Sequence, residues 1–524
     1  MKRRIFSLLL LSILLVTASC SEQSPGQELP SGQPTPSSTG GNTITEAAET
    51  PSVTPTPALP AFEPKEDEIC LTLMCSCAYI PRDEKVNALN WYLREHGYGF
   101  YVEVIASSSF LVDGADALDL SYTRVLEAKD AGTKVDLLLL YSSPEEAFDA
   151  VERGVLLRLS PFLEQEEPDS WVGKVPQSYW ESVQLGNGEK RDVYGLYSSP
   201  YGIVDECAIV VNEELFSSAG IALPTELSLE DLPDLLEELS ESGALEKNGI
   251  SAPLLTEGMS WENIWCLTGG AATLRGIMLE RHGETFECVN IFNKEKFIDA
   301  AVAMYDLYQS GKLKVTPDAE EKVLAKQFAV AFSFGGPMVR AVKKDVYQQD
   351  GVRLYKRPYF ASARSQICGI ASWSEHPQEA YQLLALLYSN EDVANLLYYG
   401  ATAANVEAGE HVKDGVALYG LTNQLMLDHV LTDSEKEAYV EILREAPVIP
   451  ILYNELILSG ELEAAEWQNG EVWDVYDQEV EVVFDECKTE EELRAYLKRN
   501  HDVLAENQWY PRIIESWNRQ LAQD

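Results

Sequence analysis

Residues 122–163 read YTRVLEAKDAGTKVDLLLLYSSPEEAFDAVERGVLLRLSPFL, and the fold class is legible from them. The stretch opens inside a helix over 117–131, passes into an apolar strand at 133–141, TKVDLLLLY, and enters a helix at 144–152. Consecutive apolar residues without alternation are what a strand covered on both faces requires. Further upstream, EICLTLMCSCAYI (68–80) reads as a second buried strand. DEKVNALNWYLREH (83–96) reads as an amphipathic helix with Val86, Leu89, Trp91 and Leu93 among its apolar positions, and GFYVEVI (99–105) as a strand. Strand, helix, strand, helix, strand makes βαβ units and a largely parallel sheet.

The same logic recurs downstream. CAIVVN (207–212) reads as a strand, and Pro224 precedes a helix over about 228–242. Ser228 and Asp231 have capping-box spacing there, and Leu229, Leu232, Leu235, Leu236 and Leu239 supply the apolar face. FAVAFSF (328–334) and QICGIA (366–371) read as buried strands, the latter followed by a helix over 377–389 that opens on Pro377. From about residue 420 the pattern is mostly helical.

The N-terminus carries a different message. Lys2, Arg3 and Arg4 precede an apolar run from Ile5 to Val16, then Thr17, Ala18, Ser19 and Cys20. A charged start, a short apolar core and small residues before a cut site describe a secretory signal over 1–19. The Cys after the small residues resembles a bacterial lipobox, with Cys20 as the lipidation site. Residues 20–66, rich in Ser, Thr, Pro, Gly and Glu, read as a disordered tether. At roughly 5–6 Å × √n it reaches on the order of 40 Å. No other segment reads as a membrane span.

The remaining length suggests two domains. The formal charge is −45, and −48 once residues 1–19, with three positive and no negative side chains, are removed. Nucleic acid is a poor partner for such a surface, because its binding rests on Lys and Arg. Of the nine Cys, those beyond Cys20 sit mostly in apolar runs and read as free, packed thiols. Cys70, Cys75 and Cys77 lack the paired spacing of a zinc site. The six histidines (His96, His282, His376, His411, His429, His501) are scattered, so no metal is expected.

No catalytic motif stands out: there is no phosphate loop, no dinucleotide fingerprint, no H-E-x-x-H and no G-x-S-x-G, since Gly258-Met259-Ser260-Trp261 lacks the second Gly. No cofactor and no catalytic residues are expected. Carboxylates are numerous, so a glycosidase pair is not excluded by counting.

Four local patterns, in one order, resemble the bacterial extracellular solute-binding proteins that serve sugar importers. The first is 122–163, with its helix, small-residue loop, Val-Asp strand and G-V-L-L-R-L-S-P-F-L element. The second, YGLYSSPYGIVDECAIVVNEELFSSAGI (194–221), is similar to the family's first crossing segment, with Val211 where Tyr is usual. The third is KQFAVAFSFGGPM (326–338), with Gln327 for Gly and Met338 where an aromatic is common. The fourth is ICGIASWSEHPQEAYQLLALLYSNEDVANLLYYG (367–400); the AANVEA that follows departs from the family pattern.

The resemblance implies an α/β fold of the two-lobed periplasmic-binding-protein type, with hinge-crossing strands near 200–206 and 355–365 and a ligand cleft between the lobes. The first lobe would comprise 67–202 plus 360–410, and the second 203–359 plus 411–524. It implies a monomeric, lipid-anchored receptor on the outer face of the bacterial membrane. Such a receptor hands a sugar or oligosaccharide to ABC permease subunits. Alternatives are an extracellular polysaccharide-degrading lipoprotein, and a binding or sensory lipoprotein on the same scaffold.

Ligands of α/β sheets lie beyond the carboxyl ends of the strands. Aromatic rings match the CH faces of sugars, and hydroxyls, amides and carboxylates match their OH groups. That rule selects Tyr79 after the first strand, Ser142 and Ser143 after the third, Tyr201 at the first crossing, Met338 after FAVAFSFGGP and Trp373 after QICGIA. Trp261, four residues before Trp265 on one helical face, is a further candidate.

Overall fold

The computed structural model describes residues 59–75, 83–106, 117–141, 143–186, 190–197, 204–205, 207–272, 278–334, 344–347, 349–358, 360–362, 366–402, 404–405, 432–463, 467 and 470–522. The chain enters the first lobe through β1 (Ile69–Cys75), returns through helix α1 (Asp83–Glu95), and lays down β2 (Phe100–Ala106) and β3 (Leu137–Tyr141), each parallel to β1. The leucines at 137–140 are all at most 1 % exposed. Both faces of β3 are therefore covered, which is why its sequence does not alternate. Helix α2 (Pro144–Glu152) follows at once.

The Asp of the Val-Asp strand has a structural task. Asp136 is fully buried, and its carboxylate accepts the Thr72 amide at 2.9 Å and the Ser374 hydroxyl at 2.6 Å. A buried carboxylate is tolerated when its oxygens are satisfied in this way.

The chain then crosses through β4 (Val204–Asp205) into a second sheet built from β5 (Ala208–Asn212), β6 (Leu254–Thr256), β7 (Leu313–Val315), β8 (Val330–Ser333) and β9 (Val352–Lys356), in the order β7-β6-β8-β5-β9. It returns through β10 (Phe360–Ser362) to add β11 (Gln366–Ile370) beside β3, so the first sheet has the order β11-β3-β1-β2. A third crossing, β12 (Val448–Ile449), lies parallel to β10, and β4 lies antiparallel to it. The three crossings thus form one small sheet.

Two cores flank that sheet. One gathers Leu71, Leu93, Val125, Leu159, Tyr179, Leu196, Ile367 and Leu384, with Leu443 and Ala446 from the later chain. The other gathers Ile209, Phe216, Leu236, Trp261, Phe297 and Met304, with Phe484, Leu497, Ile513 and Trp517. The C-terminal helices α5 (Glu490–Glu506) and α6 (Tyr510–Leu521) belong to the second core.

Two features differ from the sequence reading. β11 runs antiparallel to β3, and β5 antiparallel to β8 and β9. Parallel neighbours need a return crossover, but β11 arrives directly from the second lobe by a short crossing and so enters the sheet from the hinge end. The packed chain also begins before residue 67. The Phe62 amide donates to Asn87 Oδ1 at 2.6 Å, and Asn87 Nδ2 and Trp91 Nε1 donate to the Pro60 carbonyl at 3.1 and 2.9 Å. Arg94 lies 3.9 Å over the Phe62 ring while its guanidinium bonds Glu68. One aromatic and a few backbone carbonyls hold a segment whose average composition is that of a linker.

The cleft as candidate functional site

Strand direction locates the cleft. β1, β2 and β3 run toward the crossings, and β11 starts there, Gln366 pairing with Tyr141. In the second lobe β6, β7, β8 and β9 run toward the crossings and β5 leaves from them, so that Ala208 pairs with both Ser333 and Lys356. The carboxyl edges of the two sheets therefore meet at the hinge, where α/β proteins bind ligands.

On the first-lobe rim, Tyr79 and Ser142 lie outside the described residues. Ser143 is described, and its hydroxyl is engaged in a capping box: Oγ accepts the Glu146 amide at 3.1 Å while Glu146 Oε2 accepts the Ser143 amide at 2.8 Å. The hydroxyl selected as a ligand group thus starts α2. Tyr201, Met338 and the lipidation residue Cys20 also lie outside the described residues.

Two candidates are corrected. Trp373 follows β11, but β11 is antiparallel, so its carboxyl end is the far end of the sheet from the hinge. There the Trp373 indole N–H donates to the Thr133 carbonyl at 2.9 Å, before β3 begins. The rule about carboxyl ends applies to parallel strands, and strand direction is invisible in the hexapeptide. Trp261, at the start of helix α3 (Trp261–Leu267), is 0 % exposed and packs edge-on to Phe292, Phe297 and Phe484 at 6.1–6.2 Å. A ring without a free face offers no platform to a sugar.

The second-lobe rim carries groups that sequence reasoning missed. Tyr347 donates its hydroxyl to Glu320 Oε1 at 3.0 Å. Burial, then the charges of Glu320 and Glu257, push this phenol above its ordinary range. Glu257 follows β6 and is exposed, while Ser333 ends β8 and is 1 % exposed. Thr316, after β7, bonds Asp318. Arg357, just past β9, donates from Nη2 to the Leu227 carbonyl at 2.8 Å. Burial pulls its guanidinium below the usual arginine value, partly opposed by Glu230 and Cys207. The signal for this rim was present in TEG (256–258) and VTPDAE (315–320), polar residues directly after apolar strands.

Away from the cleft, a concavity of about 280 Å³ on the first lobe is lined by Phe162, Gln165, Glu166, Glu167, Gln378 and Tyr381. It lies beside the start of α4 (Pro377–Ser389), and the Tyr381 hydroxyl is engaged by Glu166 at 2.9 Å. Among the described residues no two cysteines form a disulfide, and burial pushes the Cys368 thiol up to about 12. Among the described residues no group of three His, Cys, Asp or Glu could hold a metal ion, and no helix is long and apolar enough to cross a membrane.

Solved structures share this architecture. The N-glycan transport solute-binding protein NgtS of Streptococcus pneumoniae matches 87 % of this chain and 99 % of its own, at 14 % identity and TM-score 0.56. The chain has the fold of an ABC-importer solute-binding protein. A solute-binding protein of Bifidobacterium longum infantis, described as binding HMO and associated with an ABC transporter, matches over the same shares at 13 % identity and TM-score 0.56. A family 1 extracellular solute-binding protein of Alicyclobacillus acidocaldarius matches 84 % of this chain and 99 % of its own, at 13 % identity and TM-score 0.51. No protein-family model matches the sequence, and no curated protein is similar to it.

Proposed function

We propose that this chain is the extracytoplasmic receptor of an ABC importer, capturing a carbohydrate between its lobes without turning it over. The observation that carries the reading is the meeting of two sheets' carboxyl edges at three crossing strands. The shared fold supports it, because two of the solved structures with this fold are described as an N-glycan transport solute-binding protein and as an HMO-binding, ABC-transporter-associated one. The second-lobe rim supports a carbohydrate in particular: Glu257, exposed just after β6, and Glu320, half-buried just after β7, are carboxylates of the kind that sugar OH groups pair with. Tyr201, beside the first crossing, is the proposed stacking platform, with Tyr79, Ser142 and Met338 as further cleft groups.

In this reading Cys20 carries the lipid, and the permease subunits receive the closed, loaded, monomeric form. Ligand closes the lobes only if it touches both, since it shifts the equilibrium by its differential affinity.

The test is a thermal-shift screen of purified protein against N-glycan fragments, milk-type oligosaccharides, peptides and polyamines. A glycan at 100 times its Kd should add about 2.7 kcal/mol of stability. Tyr201→Ala should then weaken that glycan about thirtyfold while the protein stays folded. Stabilisation by peptides or polyamines and by no glycan would overturn the carbohydrate assignment. Turnover of the bound glycan on the order of 1 s⁻¹ would overturn the non-catalytic one.

A further inference from the structure

Beside the three crossings, the lobes touch at a buried contact. Phe148, on α2 of the first lobe, stacks on Tyr453 with ring centroids 4.0 Å apart and planes 25° apart. On the same helical face, three residues earlier, the Glu145 carboxylate accepts the Asn454 amide at 2.9 Å. Glu145, Phe148, Tyr453 and Asn454 are each at most 7 % exposed.

Tyr453 is bracketed from the second-lobe side. The Gln520 side-chain amide on α6 takes both backbone groups of Tyr453: Oε1 accepts its N–H at 3.2 Å, and Nε2 donates to its carbonyl at 2.9 Å. Trp517 Nε1 donates to the same carbonyl at 3.1 Å. Asn454 caps the short helix Glu455–Leu458 by accepting the Leu456 amide at 3.0 Å.

The consequence is mechanical. Tyr453 sits four residues past β12, so it lies close to the hinge. Two hydrogen bonds from one side-chain amide plus an indole donor hold it to α6, against following α2 when the lobes rotate. α2 itself starts at the capping box that ends β3, on the lip of the cleft. Rotation about the crossings must therefore slide the stacked rings or break the Glu145 bond.

We propose that the Phe148–Tyr453 stack, held by Gln520 of the C-terminal helix, is a brake that sets the resting angle between the lobes and so the open–closed equilibrium. It rests on the reading of the molecule as a hinge-closing receptor. Gln520 is a positioning residue, acting through Tyr453.

The experiment uses the full chain without ligand, so its failure leaves the carbohydrate assignment untouched. Spin labels are attached at Glu127 and Glu237, exposed positions on the two lobes, through non-cysteine chemistry because the chain carries free thiols. The wild-type inter-lobe distance distribution should be narrow. Gln520→Leu, which keeps the side-chain bulk within one lobe, and Phe148→Leu should each broaden it roughly twofold or more. Ile513→Val, on the same C-terminal helix and buried in the same core, should leave it as in wild type. Unchanged widths in Gln520→Leu and Phe148→Leu would overturn the proposal. Equal broadening in Ile513→Val would also overturn it, by showing general loosening of the second lobe.

Discussion

Trp373 and Thr133 are joined by an indole-to-carbonyl hydrogen bond of 2.9 Å at the end of the first sheet opposite the hinge. Trp373→Ala should therefore lower the melting temperature and leave glycan affinity per folded molecule unchanged. Calorimetry of binding, corrected for the folded fraction, separates the two; a tenfold loss of affinity would return Trp373 to the site.

Trp261 should behave as a core residue. Deleting a fully buried aromatic typically costs about 3–5 kcal/mol, and Trp261 packs against three phenylalanine rings. Denaturant unfolding of Trp261→Phe and Trp261→Ala should show a small and a large loss respectively. Loss of ligand binding in a stable Trp261→Phe protein would contradict this placement.

The clasp at the N-terminal edge should be pH-dependent. The hydrogen bond from Arg94 is the main cause that holds the Glu68 carboxyl at about 2, below its ordinary 4.5. A carboxyl depressed in the folded state contributes stability that is complete above the unfolded value and is lost as pH falls through the folded one. Protection of the 60–68 segment from hydrogen exchange should hold at pH 6 and decline from about pH 4.5 toward pH 2. Glu68→Gln should show weak protection at all these values; wild-type behaviour in Glu68→Gln would refute the role of the ion pair.

Ser143→Ala removes the cap of α2 and should cost about 1 kcal/mol. Because the same helix carries Glu145 and Phe148, the variant should also loosen the inter-lobe contact. Equilibrium unfolding measures the first effect. No change in stability would mean that the hydroxyl is free for another role.

The sequence by itself determined the βαβ grammar of the first lobe, since the short run of unbroken leucines at 137–140, set between two helical segments, fits a strand covered on both faces. It also determined where α4 starts, because Pro377 is a local first-turn signal; the Ser143–Glu146 box that starts α2 is just as local, but Ser143 reads from sequence as a ligand group. Strand direction was decided only in three dimensions. QICGIA is an equally good strand in either sense, and its arrival across the hinge turned Trp373 away from the cleft. Burial of Trp261 was likewise tertiary, because its four aromatic neighbours come from residues 292, 297, 484 and 496, far along the chain. The brake is the extreme case: Phe148, Tyr453 and Gln520 meet only because a third crossing returns the late chain to the hinge, and no local pattern encodes a contact across that distance in sequence.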